Sequence, residues 1–201
     1  MTVQINYINS GLTKTLRNLV LFVDEKFNIS GLKKHVSTNE FSYISDLLKT
    51  SDLKKELIVF EVNSKKKIIL ISIKKDLKAF EAENLGAKFF TQINFGEKNQ
   101  YFVNTDTITS KLENFAGYFL HGLKLKSYEF DIYKSKKKSR FISINVSGSK
   151  NKISNQKQLG FKALEEGTFF ARDLVSEPGN ILHPDEYAKR INSLKKFGLK
   201  I

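Results

Sequence analysis

The sequence predicts an α/β fold in which a mixed β-sheet is sandwiched between helices. Segments with the composition of strands alternate with segments whose apolar residues recur at helical spacing, and this alternation is typical of a layered α/β domain. Two strand-like segments, 57–62 and 68–73, are joined by the short polar stretch 63–67. A connection of that length predicts an antiparallel hairpin, so the sheet is expected to be mixed.

The strand-like segments differ in their expected burial. Residues 3–7 alternate between apolar and polar, which predicts a half-buried strand, whereas the unbroken apolar run 19–23 predicts a central strand covered on both faces. Segments 101–104 and 141–146 predict two further strands. The alternation over 128–132 is also typical of a strand.

Five helices are expected from apolar residues at one-turn spacing. The first lies within 31–50, and the second follows Asp76 as N-cap, with Gly86 weakening it by up to ~1 kcal/mol relative to alanine. The third gives the clearest pattern, from Ile108 to Leu123. The fourth covers 159–175, and the fifth begins at Pro184 and is capped by Gly198. The main apolar positions are Phe41, Ile44, Leu47, Leu48, Leu77, Phe80, Leu85, Phe89, Leu112, Phe115, Phe119, Leu159, Phe170, Leu174, Tyr187, Ile191 and Leu194.

The chain is expected to turn between the last two helices. Glu177-Pro178 should end the fourth helix near Ser176, because a proline ring clashes with the preceding helical turn. Pro178-Gly179-Asn180 then supplies turn residues. The alternation of 199–201 resembles a strand that is cut short, so residue 201 is expected to be a boundary within a further α/β unit. Residues after about Glu177 are accordingly expected to pack poorly on the rest.

Composition predicts a soluble, cytoplasmic protein. Of the 201 residues 40% are hydrophobic, enough for one sizeable core, and no apolar run approaches the ~20 residues of a membrane helix. The first residues lack the basic and apolar regions of a signal peptide. The chain has no cysteine, which excludes disulfides and thiolate metal sites. No membrane partner is expected.

The net charge of +13 has two interpretations. Basic chains bind the phosphates of nucleic acids, and the most electropositive surface is expected at Lys65, Lys66, Lys67, Lys136, Lys137, Lys138 and Arg140. The alternative is that lysines scattered among Asn, Ile and Phe are solvated surface residues. Affinity for DNA that falls steeply with salt concentration would distinguish these interpretations.

No catalytic or metal-binding set is visible in the sequence. Metal hydrolysis needs several converging histidine or carboxylate ligands, but His35, His121 and His183 do not have the spacing of such a site. The chain has neither a cysteine nucleophile nor a Gly-x-Ser-x-Gly elbow. Ser147-Gly148-Ser149 is a weak candidate for phosphate binding, with a flexible linker as the alternative. We therefore expect this chain to bind no cofactor.

Two segments resemble the leucyl aminopeptidase (cytosol aminopeptidase) family. Residues 171–180, Ala-Arg-Asp-Leu-Val-Ser-Glu-Pro-Gly-Asn, followed by Pro184, are similar to the junction at which a linker helix of that family meets the catalytic domain. Residues 122–137, which include Ser-Tyr-Glu-Phe-Asp at 127–131, are similar to a segment near the end of its N-terminal domain. Ser176 replaces the family's usual Asn and Glu129 its usual Arg, so the polar contacts of these two side chains are expected to differ.

The resemblance implies three parts: a macro-domain-like N-terminal domain at 1–150, a linker helix at 151–177, and a truncated start of the metallopeptidase catalytic domain at 178–201. The interdomain linker motif would comprise Arg172, Asp173, Glu177, Pro178 and Asn180. The full-length enzyme would release N-terminal amino acids from peptides with two divalent metals, manganese or zinc, and would be a homohexamer. The family's catalytic and metal-binding residues match no position here, so the chain alone should be inactive and its partner would be the missing catalytic domain.

Two alternatives belong to other functional classes. A nucleic-acid-binding module is favoured by the basic segments. A free-standing macro-like domain that binds a nucleotide such as ADP-ribose is favoured by the fold class alone. Salt-dependent DNA binding would identify the first, and a thermal shift with ADP-ribose would identify the second.

Overall fold

A six-stranded mixed β-sheet forms the centre of the molecule. The computed structural model describes residues 2–8, 18–93, 98–135 and 141–201. The strands are β1 (Thr2–Tyr7), β2 (Asn18–Val23), β3 (Leu57–Asn63), β4 (Lys66–Ser72), β5 (Lys98–Asn104) and β6 (Phe141–Ser147). Their order across the sheet is β1-β6-β5-β2-β4-β3, and every neighbouring pair is parallel except β3 and β4. The predicted α/β class with a mixed sheet is confirmed.

Helices cover both faces of this sheet. They are α1 (Thr38–Leu48), α2 (Ala79–Gln92), α3 (Phe115–Lys126), α4 (Asn155–Ser176) and α5 (Pro184–Asn192), with short 3-10 helices at Ser30–Lys34, Thr105–Thr107 and Ser193–Phe197. The helix α1 lies on one face, α2 and α3 lie together on the other, and α4 packs on the outside of α3. Of the helices in the described part of the chain, none combines the length and the apolar composition that crossing a bilayer requires.

The central strand β2 divides the core into two halves. Val20 and Phe22 point towards α2 and α3, whereas Leu19, Leu21 and Val23 point towards α1. All five side chains are buried, as expected for a strand covered on both faces. The Phe22 ring meets two rings of α3 edge to face, at centroid distances of 5.3 and 5.4 Å. The sheet and its α2–α3 layer are thereby fixed together.

Two glycines allow α2 and α3 to pack with their backbones in contact. A Cβ atom on Gly86 would overlap the carbonyl oxygen of Phe119, and one on Gly122 would overlap the carbonyl oxygen of Glu83. The sequence indicated only that Gly86 weakens its helix. In the structure the packing of α2 against α3 outweighs this loss of helix propensity, because only a residue without a side chain allows the two backbones to come so close.

The start of α2 differs from the sequence-based prediction. The N-cap is Lys78 rather than Asp76, and the main-chain N–H of Lys78 donates to Glu81 Oε2 at 2.8 Å. Asp76 lies in the preceding turn, with its Oδ1 3.2 Å from Lys111 Nζ. Glu81, at the third position of the helix, thus accepts the hydrogen bond from the N-cap N–H, and Asp76 plays no part in the cap.

The start of α3 also differs, since the helix begins at Phe115 and not at Ile108. Asn114 adopts a left-handed conformation with φ of 59°, which a continuous α-helix cannot contain. Ile108 and Leu112 still pack against the core, but from an irregular segment. The prediction that Ile108 and Leu112 face the core is therefore confirmed, whereas the prediction that they belong to the helix is wrong.

Three expectations about strands need correction. Residues 128–132 form no strand, because the main chain turns and Lys134 N–H donates to the Asp131 carbonyl. The hairpin is confirmed as antiparallel, but its turn is shorter than predicted, since Lys66 and Lys67 belong to β4. Residues 199–201 are exposed and form no strand.

Candidate interdomain junction

The long helix α4 carries most of the residues that the sequence assigned to a linker. It begins at Ser154, whose hydroxyl accepts a hydrogen bond from Lys157 N–H, and continues to Ser176. Phe161 packs against the rings of Tyr118 and His121 on α3, with centroid distances of 5.2 and 5.7 Å. As expected, α4 ends at the residue that precedes Glu177-Pro178.

The fold brings together the two sequence segments that resembled the same family. The Tyr128 hydroxyl donates to Asp173 Oδ1 at 2.7 Å. Arg172 Nη1 donates to the carbonyl oxygen of Leu125 at 2.6 Å, and its guanidinium lies 5.4 Å from the centroid of the Tyr128 ring. Burial together with the bond to Asp173 raises the pKa of Tyr128. Arg172 and Asp173 thus attach α4 to the last turn of α3 and to the segment that follows it, through one hydrogen bond each.

Glu177 connects three parts of the chain. Its carboxylate accepts a hydrogen bond from the Tyr133 hydroxyl and forms an ion pair with Arg190 Nη1 of α5 at 2.8 Å. Only 3% of the Glu177 side chain is exposed. The hydrogen bond from Tyr133, with that from Arg190, lowers the pKa of Glu177. The end of α4, the turn after α3 and α5 therefore share one charged group that stays ionised at neutral pH.

The turn between α4 and α5 follows the predicted chemistry. The Pro178 carbonyl accepts hydrogen bonds from the N–H groups of Ile181 and Leu182, and Pro184 occupies the first turn of α5. Asn180 is exposed. Glu129, one of the two unusual positions, forms an ion pair with Lys134 at 2.7 Å, so this substitution introduces a local contact within its own segment.

Removing the Tyr128 hydroxyl should weaken the junction less when Asp173 is absent, because one of its hydrogen bonds is then already lost. We expect Tyr128→Phe and Asp173→Ala to be non-additive, with a coupling energy of about 1 kcal/mol, because the hydroxyl donates to a partly exposed charged group. Chemical denaturation of both single variants and the double variant measures this term. Tyr187→Phe is the matched control, since the described residues offer its hydroxyl no partner, and it should show no coupling with Asp173→Ala. Full additivity at Tyr128 would contradict the assigned bond.

One side of the junction is left uncovered. Leu164 and Val175 of α4 are 59% and 87% exposed. Leu164 lies two helical turns before Ala171 and Val175 lies one turn after it, so the three residues share a face of the helix. Added Cβ atoms on Gly160 and Gly167 of the same helix would meet no other atom within 4 Å. No residue after Glu177 is buried. The junction is therefore firmly attached to the domain on one side and open on the other.

The lysines predicted to form a basic surface are in different environments. Lys65 is exposed in the hairpin turn, whereas Lys66 is buried and its Nζ lies 2.6 Å from Glu40 Oε1. Lys67 Nζ lies 2.7 Å from Glu61 Oε1. These ion pairs remove charge from the expected electropositive surface. The other members, Lys136, Lys137, Lys138 and Arg140, lie outside the described residues, and nucleic-acid contact stays a prediction.

The remaining candidates for chemistry have structural partners. His35 Nδ1 lies 2.9 Å from Asn104 Nδ2, His121 Nδ1 lies 3.0 Å from Glu83 Oε1, and His183 is the N-cap residue of α5. In the part of the chain that the structure describes, no group of three histidine or acidic side chains could hold a metal ion.

The segment considered as a weak phosphate-binding candidate, Ser147-Gly148-Ser149, already binds a carboxylate of its own chain. Asp106 Oδ1 accepts hydrogen bonds from the N–H groups of Ser149 and Lys150, at 2.7 and 2.6 Å, and from the Ser149 hydroxyl at 3.1 Å. Burial alone would raise the pKa of Asp106, but these bonds outweigh it and lower the pKa. The donors that would have bound a phosphate are therefore occupied.

Comparison with curated proteins identifies relatives of one name. A protein of Methylobacterium radiotolerans named "Probable cytosol aminopeptidase" is 37% identical over 91 residues, which cover 43% of this chain and 18% of the relative. A protein of the same name from Rhizobium leguminosarum bv. trifolii is 28% identical over 159 residues, covering 73% of this chain and 31% of the relative. The chain thus spans less than a third of the length of either relative. No family model matches the sequence.

Solved structures share the fold at low sequence identity. A tomato leucine aminopeptidase mutant superposes with a TM-score of 0.73 and 15% identity, covering 98% of this chain and 42% of the other. Cytosol aminopeptidase from Coxiella burnetii gives a TM-score of 0.64 and 13% identity, covering 96% and 38%. The bottromycin maturation enzyme BotP, solved in complex with Mn, gives 0.62 and 15%, covering 90% and 36%.

Proposed function

Because the chain belongs to the leucyl aminopeptidase family and corresponds to its N-terminal region, we propose that it is the non-catalytic N-terminal domain and linker of such an enzyme. In this proposal residues 1–150 form the domain, 151–177 the linker helix, and 178–201 the start of the catalytic domain. The complete enzyme would release N-terminal amino acids from peptides by two-metal hydrolysis.

The uncovered face of α4 is the observation that carries this proposal. A helix end held by Arg172, Asp173 and Glu177 has a fixed direction, and its exposed Leu164 and Val175 can be buried only by a further body. Large apolar side chains exposed on one face of an anchored helix support an interaction site there. We assign that body to the catalytic domain. Its burial against α4 would position α5 and the chain that follows.

The metals are assigned to the catalytic domain as well. The described residues do not fit a metal site, so this region would contribute no ligand to the two divalent ions, manganese or zinc. The Mn complex of BotP, a protein of similar fold, supports manganese as the first metal to test. Assembly into a homohexamer would likewise depend mainly on the catalytic domains.

A chimera tests the proposal directly. This chain would replace the portion of the Rhizobium leguminosarum protein that aligns with it. We expect a folded chimera that hydrolyses leucine p-nitroanilide with manganese, whereas the 201-residue chain alone, with manganese or zinc, is inactive. Hydrolysis by the chain alone would contradict the non-catalytic assignment.

Substitutions on α4 identify the interface within that chimera. Leu164→Asp and Val175→Asp should each lower activity about tenfold or more, because a buried unpaired carboxylate weakens docking by at least the ~1.4 kcal/mol that corresponds to tenfold. Phe80→Asp is the matched control, since Phe80 is 58% exposed on α2, away from this face. Equal activities of all three variants would contradict docking through α4.

A further inference from the structure

The outer edge of β1 meets no other strand among those that the structure describes. β1 is the first strand of the sheet order, and its only neighbour among the described strands is β6. Ile8 N–H donates to Val146 on β6, whereas the Val3 carbonyl faces the opposite way and accepts from Lys124 Nζ at 2.9 Å. Main-chain groups alternate in direction along a strand, so those of Ile5 and Tyr7 also face away from β6. The described residues provide them with no hydrogen-bond partner.

Ile5 and Tyr7 also line a groove between β1 and α4. The groove has a volume of about 490 Å³, and its apolar lining comes mainly from Ile5, Leu120, Leu159 and Phe161. A second cavity of about 610 Å³ shares Ile5 and Tyr7 with it and continues past the end of β6. A paired strand needs about 4.8 Å of lateral space and about 3.3 Å of length per residue. The volume of the groove is therefore sufficient for a short extended segment of about two to three residues beside β1.

The lysine side chains that line the groove favour an acidic ligand. Lys124, Lys152 and Lys162 line the two cavities, and Glu165 is the one carboxylate among the residues that line them. Glu165 is already paired with Lys124 at 2.9 Å, and Lys162 forms a longer, solvent-exposed ion pair with Glu166 at 3.7 Å. Lys152 therefore carries the excess positive charge, and Lys162 is only weakly neutralised because exposed pairs contribute little. Lys124 also blocks pairing at the start of β1, because its ammonium group already donates a hydrogen bond to the Val3 carbonyl. An incoming strand would pair with Ile5 and Tyr7 only.

We propose that the groove between β1 and α4 binds an extended acidic peptide segment of a partner protein, which adds a strand to the edge of β1. The main-chain groups of Ile5 and Tyr7 provide the hydrogen bonds. Apolar side chains of the peptide alternate towards Leu120 and Phe161, and its carboxylates approach Lys152 and Lys162. This site lies on the domain itself and is independent of the proposed aminopeptidase activity.

Labelled peptides test the pairing. The probe is a fluorescent Val-Glu-Val-Glu-Val with blocked termini, titrated with the 201-residue chain and followed by anisotropy. We expect it to bind, and we expect its Lys counterpart and its backbone N-methylated form each to bind about tenfold more weakly, since each loses one or more hydrogen bonds or ion pairs. Equal affinity of the N-methylated form would overturn strand addition, and equal affinity of the Lys form would overturn the acidic preference.

Variants of the edge separate main-chain pairing from other effects. Ile5→Pro removes one outward N–H and should weaken binding about tenfold relative to Ile5→Ala, which loses the same apolar contact but keeps the N–H. Lys162→Glu should weaken binding, whereas the matched control Lys157→Glu should not. Circular dichroism checks that each variant is folded. Identical affinities of Ile5→Pro and Ile5→Ala would overturn the proposal.

Hydrogen exchange gives a readout that does not depend on substitutions. The amides of Ile5 and Tyr7 should exchange rapidly in the free chain and become protected when the peptide is added. Protection that appears in the free chain and grows with its concentration would show that a second copy occupies the edge, and would overturn the proposal of a partner segment.

Discussion

Replacing Gly86 by alanine is expected to destabilise the protein by about 3 kcal/mol, although alanine is the better helix former. The new methyl group would overlap the Phe119 carbonyl oxygen, and a backbone atom cannot move aside as a side chain can. The helices α2 and α3 would have to separate, and this overpacking exceeds the ~1 kcal/mol gained in helix propensity. The melting temperature should fall by roughly 6–12 °C.

The same substitution on α4 should have the opposite sign. Gly160 and Gly167 also lie inside a helix, but an added Cβ would meet no atom within 4 Å. Gly160→Ala and Gly167→Ala should each stabilise the chain by up to about 1 kcal/mol, because only the propensity term remains. Thermal and urea denaturation of the three variants compares the two environments. Stabilisation by Gly86→Ala would show that the helices do not pack as described.

Replacing Glu40 by glutamine is expected to cost about 3 kcal/mol. Glu40 and Lys66 form an ion pair at 2.6 Å with side chains only 12% and 11% exposed, and the substitution removes the negative charge from this largely buried pair. We expect the lower end of the range for buried pairs, because part of each side chain still contacts water. The expected decrease in melting temperature is about 6–12 °C. Glu61→Gln is the matched control on an exposed pair and should change the melting temperature little.

The Glu40 contribution should depend on pH in a defined direction. Burial alone would raise the pKa of Glu40, but hydrogen bonds from Lys66 and Ser37 outweigh it and the net pKa is lowered. A lowered folded-state pKa stabilises the protein above the unfolded pKa of about 4.3, and this stability is lost as pH falls through the folded value. The difference between wild type and Glu40→Gln should be constant above about pH 6 and should shrink in acid. A difference that grows in acid would contradict the assigned ion pair.

The layers of the fold were accessible from the sequence because strand and helix periods are local properties. β2, the antiparallel hairpin and α4 all follow from runs of apolar residues and from the proline at 178. The start of α3 could not be predicted from the sequence. The apolar residues keep their helical spacing through Ile108 and Leu112, but the left-handed Asn114 prevents the helix from beginning before Phe115. The close contact between α2 and α3 could not be predicted from the sequence either, because a glycine in a helical segment indicates only a weaker helix and not the approach of a second helix.

The junction was recognised as a motif but not as a set of contacts. Arg172, Asp173 and Glu177 were selected because they resembled a family segment, and the tyrosines that bind them lay about forty-five residues away in the other segment. Pairing Tyr128 with Asp173 and Tyr133 with Glu177 requires the path of the chain after α3, which alternation wrongly indicated to be a strand. The groove beside β1 had no sequence signal, because main-chain groups leave none.

The pairing of β1 with β6 has a consequence for the order in which the chain can fold. Thr2 pairs with Phe141, so the first described strand of the sheet must wait until the last one has been synthesised. At 5–20 residues per second this delay is on the order of ten seconds, far longer than a hairpin needs to close. During that time the hairpin of β3 and β4 can form with β2, while β1 remains without its partner strand and its apolar face stays exposed. Vectorial synthesis therefore exposes β1 to chaperones longer than any other strand.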